Sequence, residues 1–191
     1  MILTKRFTDA LTYACTLHCQ QTRKADETPY IAHLLSVAAL VLEDGGSETE
    51  AIAALLHDAI EDQGGEATRQ RILGRFGEEV TAIVEGCTES NQMPKPPWRD
   101  RKLRYLQNIR NGSPSVVRVS LADKLHNGRS LLFQLQRQGS SVWRHFHQPS
   151  EDILWFYQEL LAVYQEWGIS VRIEEFAEII SRLSRFLESE D

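Results

Sequence analysis

The segment Ala51 to Asp62, AIAALLHDAIED, sets one imidazole and three carboxylates, His57, Asp58, Glu61 and Asp62, at the end of a run of small and aliphatic residues. Read as one helix, it makes Asp58 a neighbour of Glu61 and Asp62, and His57 a neighbour of Glu61, because side chains three and four apart share a face. Gln63-Gly64-Gly65 reads as the stop, so the acids crowd a last turn that already carries negative partial charge. A divalent cation would turn that repulsion into attraction. The alternative is a solvated, acidic helix end.

Two further side chains belong with this cluster. His33 lies on the apolar face of a helical run, Tyr30-Ile31-Ala32-His33, where the alternative role is a hydrogen-bonded core histidine. Asp123 follows Val-Ser-Leu-Ala in the segment SLADKLHN, a poor place for a solvated charge, and it shares a face with Asn127. Buried carboxylates need a partner. Together His33, His57, Asp58 and Asp123 offer two imidazoles and two carboxylates from three helices, a mixed set that suits Mn, Fe or Zn better than an all-oxygen calcium site. Such a set leaves coordination positions for water and substrate, as metal-assisted hydrolysis requires.

The elements that position these residues read as helices throughout. Apolar residues recur at helical spacing over Phe7 to His18, Tyr30 to Val41, Glu66 to Phe76, Glu78 to Glu89, Trp98 to Asn111, Ser113 to Gln138, Ser150 to Trp167 and Val171 to Leu187. Ser47 with Glu50 is a capping-box signature that launches the helix carrying His57. Asn91 to Pro97 interrupts the pattern with three prolines, and no alternating strand of useful length stands out. The reading is an all-α single domain over residues 1–191, with a core of about 7–165 and a C-terminal helix of about 171–187.

Composition limits the partners. A chain of 191 residues with 42% hydrophobic content suits one globular domain. No apolar run approaches the roughly 20 residues a membrane helix needs, and the N-terminus, MILTKRFTDA, lacks the apolar centre of a signal peptide, so a cytoplasmic protein is expected. A formal net charge of −6 disfavours a general nucleic-acid binder. An anionic substrate would instead need a local patch, and KPPWRDRKLR, Lys95 to Arg104, supplies five basic residues against the single acid Asp100. Lys124 and Arg129, beside Asp123 and Asn127, are further phosphate-facing residues. Cys15, Cys19 and Cys87 show no CxxC spacing, and Cys15 and Cys19 read as packed thiols. Trp143, Phe146, Trp155 and Tyr157 read as packing aromatics, with Trp143 placed to flank a purine.

The order His33, His57-Asp58, Asp123 resembles the H…HD…D signature of the HD-domain metal-dependent phosphohydrolases. Arg23-Lys24 ahead of PYIAH, then HDAIED and LADKLHN, look like the hydrolase domain of the RelA/SpoT alarmone enzymes and their small stand-alone, Mesh-type relatives, over roughly Phe7 to Tyr164. The resemblance implies an HD-type helical bundle in which His33, His57, Asp58 and Asp123 hold a metal, usually manganese. It implies that Glu61 and Asp62 orient and activate the water attacking a 3′-pyrophosphate. It further implies that Arg23 and Lys24 line a nucleotide pocket, and that Asn127 contacts the ribose or phosphates.

The leading expectation is therefore a manganese-dependent hydrolase that removes the 3′-pyrophosphate of guanosine tetra- or pentaphosphate, with a small nucleotide as its partner. An HD phosphohydrolase acting on an adenosine alarmone or another nucleotide ester is the nearer alternative. A metal-stabilised regulatory module without turnover is the more distant one, and the Glu61-Asp62 pair weighs against it, since a structural site has no use for two extra acids.

Overall fold

The computed structural model describes residues 2–23, 27–90, 94–168 and 170–188. Their helices are α1 (Lys5–Leu17), α2 (Ile31–Glu43), α3 (Glu48–Leu56), α4 (Ala59–Asp62), α5 (Gly65–Phe76), α6 (Glu78–Cys87), α7 (Trp98–Arg110), α8 (Pro114–Gln138), α9 (Ser150–Glu166) and α10 (Val171–Glu188), with a 3₁₀ segment, Gly139–His145, after α8. Among the described residues there is no strand, only an isolated antiparallel bridge between Thr22 and Pro29. The all-α expectation agrees with this. No described helix is long and apolar enough to cross a membrane.

The organising element is α3. Its residues Ala51 to Leu56 are all fully buried, because α1, α2, α6 and α8 pack around it. Small side chains on one helix let four neighbours approach, and interior packing at crystal-like density rewards that fit. The helix starts where the sequence says it should: Ser47 Oγ accepts from the Glu50 N–H, and Glu50 returns a bond to the Ser47 N–H at 2.6 Å. The preceding turn closes α2 with Gly45 at φ +75°, while the N–H groups of Gly45 and Gly46 reach the carbonyls of Leu42 and Val41. That is a Schellman closure, for which a positive φ favours glycine. Arg118 on α8 then pairs with Glu50 at 2.6 Å and with Asp44 at 3.2 Å, tying this corner to the longest helix.

One expectation changes here. The HD segment is not one helix running to Asp62: α3 ends at Leu56, His57 and Asp58 form a turn, and α4 begins at Ala59. Asp58 adopts φ −94°, ψ −4°, in the sparsely populated bridge region where functional residues often sit. On an unbroken helix two consecutive side chains diverge by about 100°; the turn lets His57 and Asp58 converge instead. The Gln63-Gly64-Gly65 stop stands, with Gly64 at φ +109°. Cys15 and Cys19 also depart from expectation, being exposed while Cys87 is buried. α1 buries Ala10, Tyr13 and Ala14, so Cys15, one position on from that stripe, faces outward.

Helix α8 crosses the core and carries Ser120, whose hydroxyl bonds those of Tyr105 from α7 and Tyr164 from α9 at 2.7 Å each. This buried chain of three hydroxyls satisfies polar groups that would otherwise be costly inside. α8 also meets α6 closely: a Cβ on Gly86 would lie 2.5 Å from one Val116 methyl and 2.8 Å from the other. Gly86→Ala should therefore destabilise the protein by about 1–3 kcal/mol through overpacking, although alanine is the better helix former by about 1 kcal/mol. In a Val116→Ala background the same change should be neutral or stabilising. Urea unfolding of the four proteins in this cycle measures it, and a Gly86→Ala penalty equal in both backgrounds would rule out the steric cause.

Candidate metal centre

α2 delivers His33, the α3–α4 turn delivers His57 and Asp58, and α8 delivers Asp123. Both imidazoles are 1% exposed, in the dense interior around α3. His57 Nε2 lies 3.0 Å from Asp58 Oδ2 and 3.6 Å from Asp123 Oδ1; His33 Nε2 lies 3.2 Å from Asp123 Oδ1 and 3.6 Å from Asp58 Oδ2. Nitrogen and oxygen thus alternate around a closed ring of four atoms. Ligands bound about 2.0–2.2 Å from one ion are separated by about 3.0–3.6 Å along the edges of its coordination polyhedron, which matches these spacings.

The polar bookkeeping of the ring points the same way. Among the described residues neither His33 Nε2 nor His57 Nε2 has a hydrogen-bond partner, though both atoms are buried. Buried polar atoms left unpaired are costly, and the buried Asp123 carboxylate with the half-buried Asp58 beside them adds to that cost. A divalent cation satisfies all four atoms at once. His33, His57 and Asp58 present ligand atoms within 4.8 Å of one another, and Asp123 Oδ1 stands 3.2 and 3.6 Å from the two imidazole nitrogens.

Each ligand atom is aimed by a neighbour. His57 Nδ1 donates to the Ala54 carbonyl at 2.7 Å, which places its free lone pair on Nε2, toward the ring. Tyr30 donates its hydroxyl to Asp58 Oδ2 at 2.6 Å; burial and then the Asp58 charge push the phenol far up, so it acts as a fixed donor. Asp123 receives Lys124 Nζ on Oδ2 at 2.6 Å and the Asn127 amide on Oδ1 at 2.5 Å. Arg23 in turn donates to Asn127 Oδ1 at 2.7 Å. Burial alone would raise the pKa values of Asp58 and Asp123, but His57 beside the first and Lys124 beside the second hold both well below the usual carboxylate range. Burial depresses His57, yet the Asp58 charge and then the nearby Asp123 carboxylate carry it well above the ordinary imidazole range. The ring thus concentrates anionic charge that attracts a cation.

The remaining residues expected at the site are distributed around it. Asp62, on α4, is exposed as a residue and accepts from Gln21 at 2.7 Å; partial desolvation of its carboxyl group and then the nearby Asp58 raise it above the usual range. Glu61 accepts from Lys95 Nζ at 2.9 Å and from the Glu89 N–H at 3.1 Å. Arg23 and Asn127 adjoin the ring, whereas Lys124 is turned onto Asp123. Lys24 lies outside the described residues. The basic segment is only partly a solvated face: Lys95, Arg99 and Arg104 are exposed, yet Lys95 reaches Glu61, Arg101 and Lys102 pair with Glu89, and Arg99 stacks 3.3 Å over the Trp155 ring. Trp143 packs on Phe146 at 5.9 Å between centroids, and its indole N–H is buried without a partner.

His126 was not singled out by sequence reasoning, although it stands three residues after Asp123 on the same face of α8. Its Nδ1 meets His33 Nδ1 at 2.8 Å. Two nitrogens in one hydrogen bond share one proton. For His33 to offer Nε2 to an ion that proton must sit on His33 Nδ1, so His126 accepts through Nδ1 and carries its own proton on Nε2. Burial and then His33 push His126 down to about 4, keeping it neutral.

The HD domain family matches residues 10–151 of the chain. The guanosine-3′,5′-bis(diphosphate) 3′-pyrophosphohydrolase MESH1 of Xenopus tropicalis is 40% identical over 126 residues, covering 64% of this chain and 68% of that protein. The guanosine-3′,5′-bis(diphosphate) 3′-pyrophosphohydrolase of Aquifex aeolicus is 30% identical over 168 residues, which is 88% of this chain and 23% of that longer one. A solved structure described as a metazoan ortholog of SpoT that hydrolyses ppGpp superposes with a TM-score of 0.77 at 25% identity, covering 95% of this chain and 97% of that one.

Removing the His126 imidazole should weaken divalent-metal binding by about 10–100-fold, the usual cost of losing a group that orients a metal-binding histidine. His126→Gln, whose side-chain carbonyl can still accept, should recover most of it. Calorimetric titration of manganese into the metal-free proteins measures both, and an unchanged affinity for His126→Ala would refute the tautomer assignment.

Proposed function

The chain belongs to the HD domain family, and on that footing we propose that it is a divalent-metal-dependent pyrophosphohydrolase that removes the 3′-pyrophosphate from guanosine tetra- or pentaphosphate. The reading is supported by 40% identity to a MESH1 protein named for that reaction and by the likeness to a solved ppGpp hydrolase across nearly the whole chain. The single observation that carries it is the ring of His33, Asp58, His57 and Asp123 atoms with an acidic pair one helical turn away. We assign His33, His57, Asp58 and Asp123 as ligands. Manganese is the proposed ion on the strength of the mixed nitrogen and oxygen donors, which iron and zinc also accept.

A bound divalent ion supplies a water of lowered pKa and polarises the phosphoryl oxygen under attack. The protein's own groups do the rest, since phosphoryl transfer depends chiefly on positioning and charge neutralisation. Asp62, with its raised pKa, accepts the proton of the attacking water. Glu61, held between Lys95 and the Glu89 N–H, orients that water. The water oxygen bonds to the phosphorus next to the ribose 3′-oxygen, the bond from that phosphorus to the 3′-oxygen breaks, the proton taken up by Asp62 passes to the departing 3′-oxygen, and pyrophosphate leaves a nucleoside 5′-di- or triphosphate with a free 3′-hydroxyl. Arg23 faces the nucleotide, a role that the family resemblance extends to Lys24, and Asn127 links Arg23 to Asp123. Lys124 acts first by holding Asp123 ionised. The substrate is a dissolved nucleotide, so the proposed place of action is the cytoplasm.

Manganese-loaded protein incubated with guanosine and adenosine alarmones in parallel should release pyrophosphate, identified by anion-exchange chromatography, from the guanosine compounds. Release from the adenosine compounds alone would reassign the base, and no pyrophosphate from any alarmone would overturn the proposal. Asp58→Ala should lose metal and turnover together. Glu61→Gln should keep the metal and lower kcat by about 10²–10⁴-fold.

A further inference from the structure

Asp62 presents a difficulty for the role just given to it. It is an exposed side chain at the end of a four-residue helix, where an untethered carboxylate would sample several rotamers and spend little time aimed at one water. The structure provides a tether from outside the ring. Gln21, in the connection between α1 and α2, donates its Nε2 to Asp62 Oδ2 at 2.7 Å. Oδ2 is the oxygen held, which leaves Oδ1 for the proton.

The tether is itself fixed. Gln21 Oε1 accepts from Gln63 Nε2 at 2.6 Å and from His18 Nδ1 at 2.6 Å. An amide has one oxygen and one nitrogen end, and only one assignment gives the carboxylate a donor while giving both other donors an acceptor. The turned-over amide would oppose oxygen to carboxylate. His18 is buried and its ring lies flat on Tyr30, 5.3 Å between centroids and 18° between planes; Tyr30 is the residue that donates to Asp58. The backbone joins the same groups, since the Tyr30 N–H donates to the Gln21 carbonyl at 2.9 Å beside the Thr22–Pro29 bridge. One unit therefore touches both a ring carboxylate, through Tyr30, and the acid beside the ring, through Gln21.

We propose that Gln21, locked by His18 and Gln63, is a positioning residue that holds Asp62 in the one rotamer from which it takes the proton of the hydrolytic water. The inference rests on the role assigned to Asp62. Gln21 touches no ring atom, so its removal acts on kcat and leaves metal and substrate binding in place.

Gln21→Ala should lower kcat for the guanosine alarmone about 10–100-fold, the scale on which small misplacements of a reacting group are felt. KM should stay within about threefold, and the manganese affinity of the purified protein should be unchanged. In an Asp62→Ala background, Gln21→Ala should have no further effect on kcat, because the group it positions is gone. An equal loss in both backgrounds, a loss confined to KM, or a loss of metal would each overturn the proposal. Were the wild type inert on every alarmone, the reading of activity would fail separately. NMR of the Gln21 side-chain amide still decides the tether: it should exchange slowly with solvent in the wild type and rapidly in Asp62→Ala, and rapid exchange in the wild type would refute it.

Discussion

Four atoms that cannot be left alone lie at the centre of this protein. Among the described residues, two imidazole nitrogens without hydrogen-bond partners alternate with two carboxylate oxygens at 3.0–3.6 Å, within the helical core. In such surroundings charge is either paired or expensive. The groups nearby keep the four atoms together: Lys124 and Asn127 on Asp123, Tyr30 on Asp58, the Ala54 carbonyl on His57, and His126 on His33.

The bundle makes this tolerable by surrounding the ring with rigid, apolar packing. α3 contributes six consecutive buried residues immediately before His57, so the turn that carries His57 and Asp58 springs from the most constrained helix in the fold. α2 and α8 flank it and bring His33 and Asp123. The acids that do not belong to the ring lie further out: Asp62 is exposed and Glu61 is partly so, as suits groups that meet water and substrate.

Much of this was legible in the sequence, because residue type and helical spacing carry most of the information about an amphipathic bundle. Helix positions followed from apolar periodicity, and the start of α3 from Ser47 and Glu50. His33, His57, Asp58 and Asp123 were recognisable as chemically out of place on apolar faces, and the structure brings all four together. The break at His57-Asp58 was not legible, since both residues are compatible with an unbroken helix and the deciding interactions come from α2 and α8. The exposure of Cys15 and Cys19 escaped for a related reason: a spacing of four puts both on one face without saying which. Gln21, His18 and His126 were hidden because their importance lies in partners 41 residues or more away for Gln21 on Asp62 and 93 away for His126 on His33.

The separation of the ring residues along the chain has a kinetic consequence. His57 and Asp58 are covalent neighbours and His33 precedes them closely, but Asp123 arrives on α8, much later in synthesis. Contacts between distant segments form only after loop-closure entropy has been met. A nascent chain emerging up to α7 holds three of the four ring residues but not Asp123 with its Lys124 and Asn127 supports. The ring therefore closes only when α8 docks, and tight ion capture waits on that long-range contact rather than preceding it.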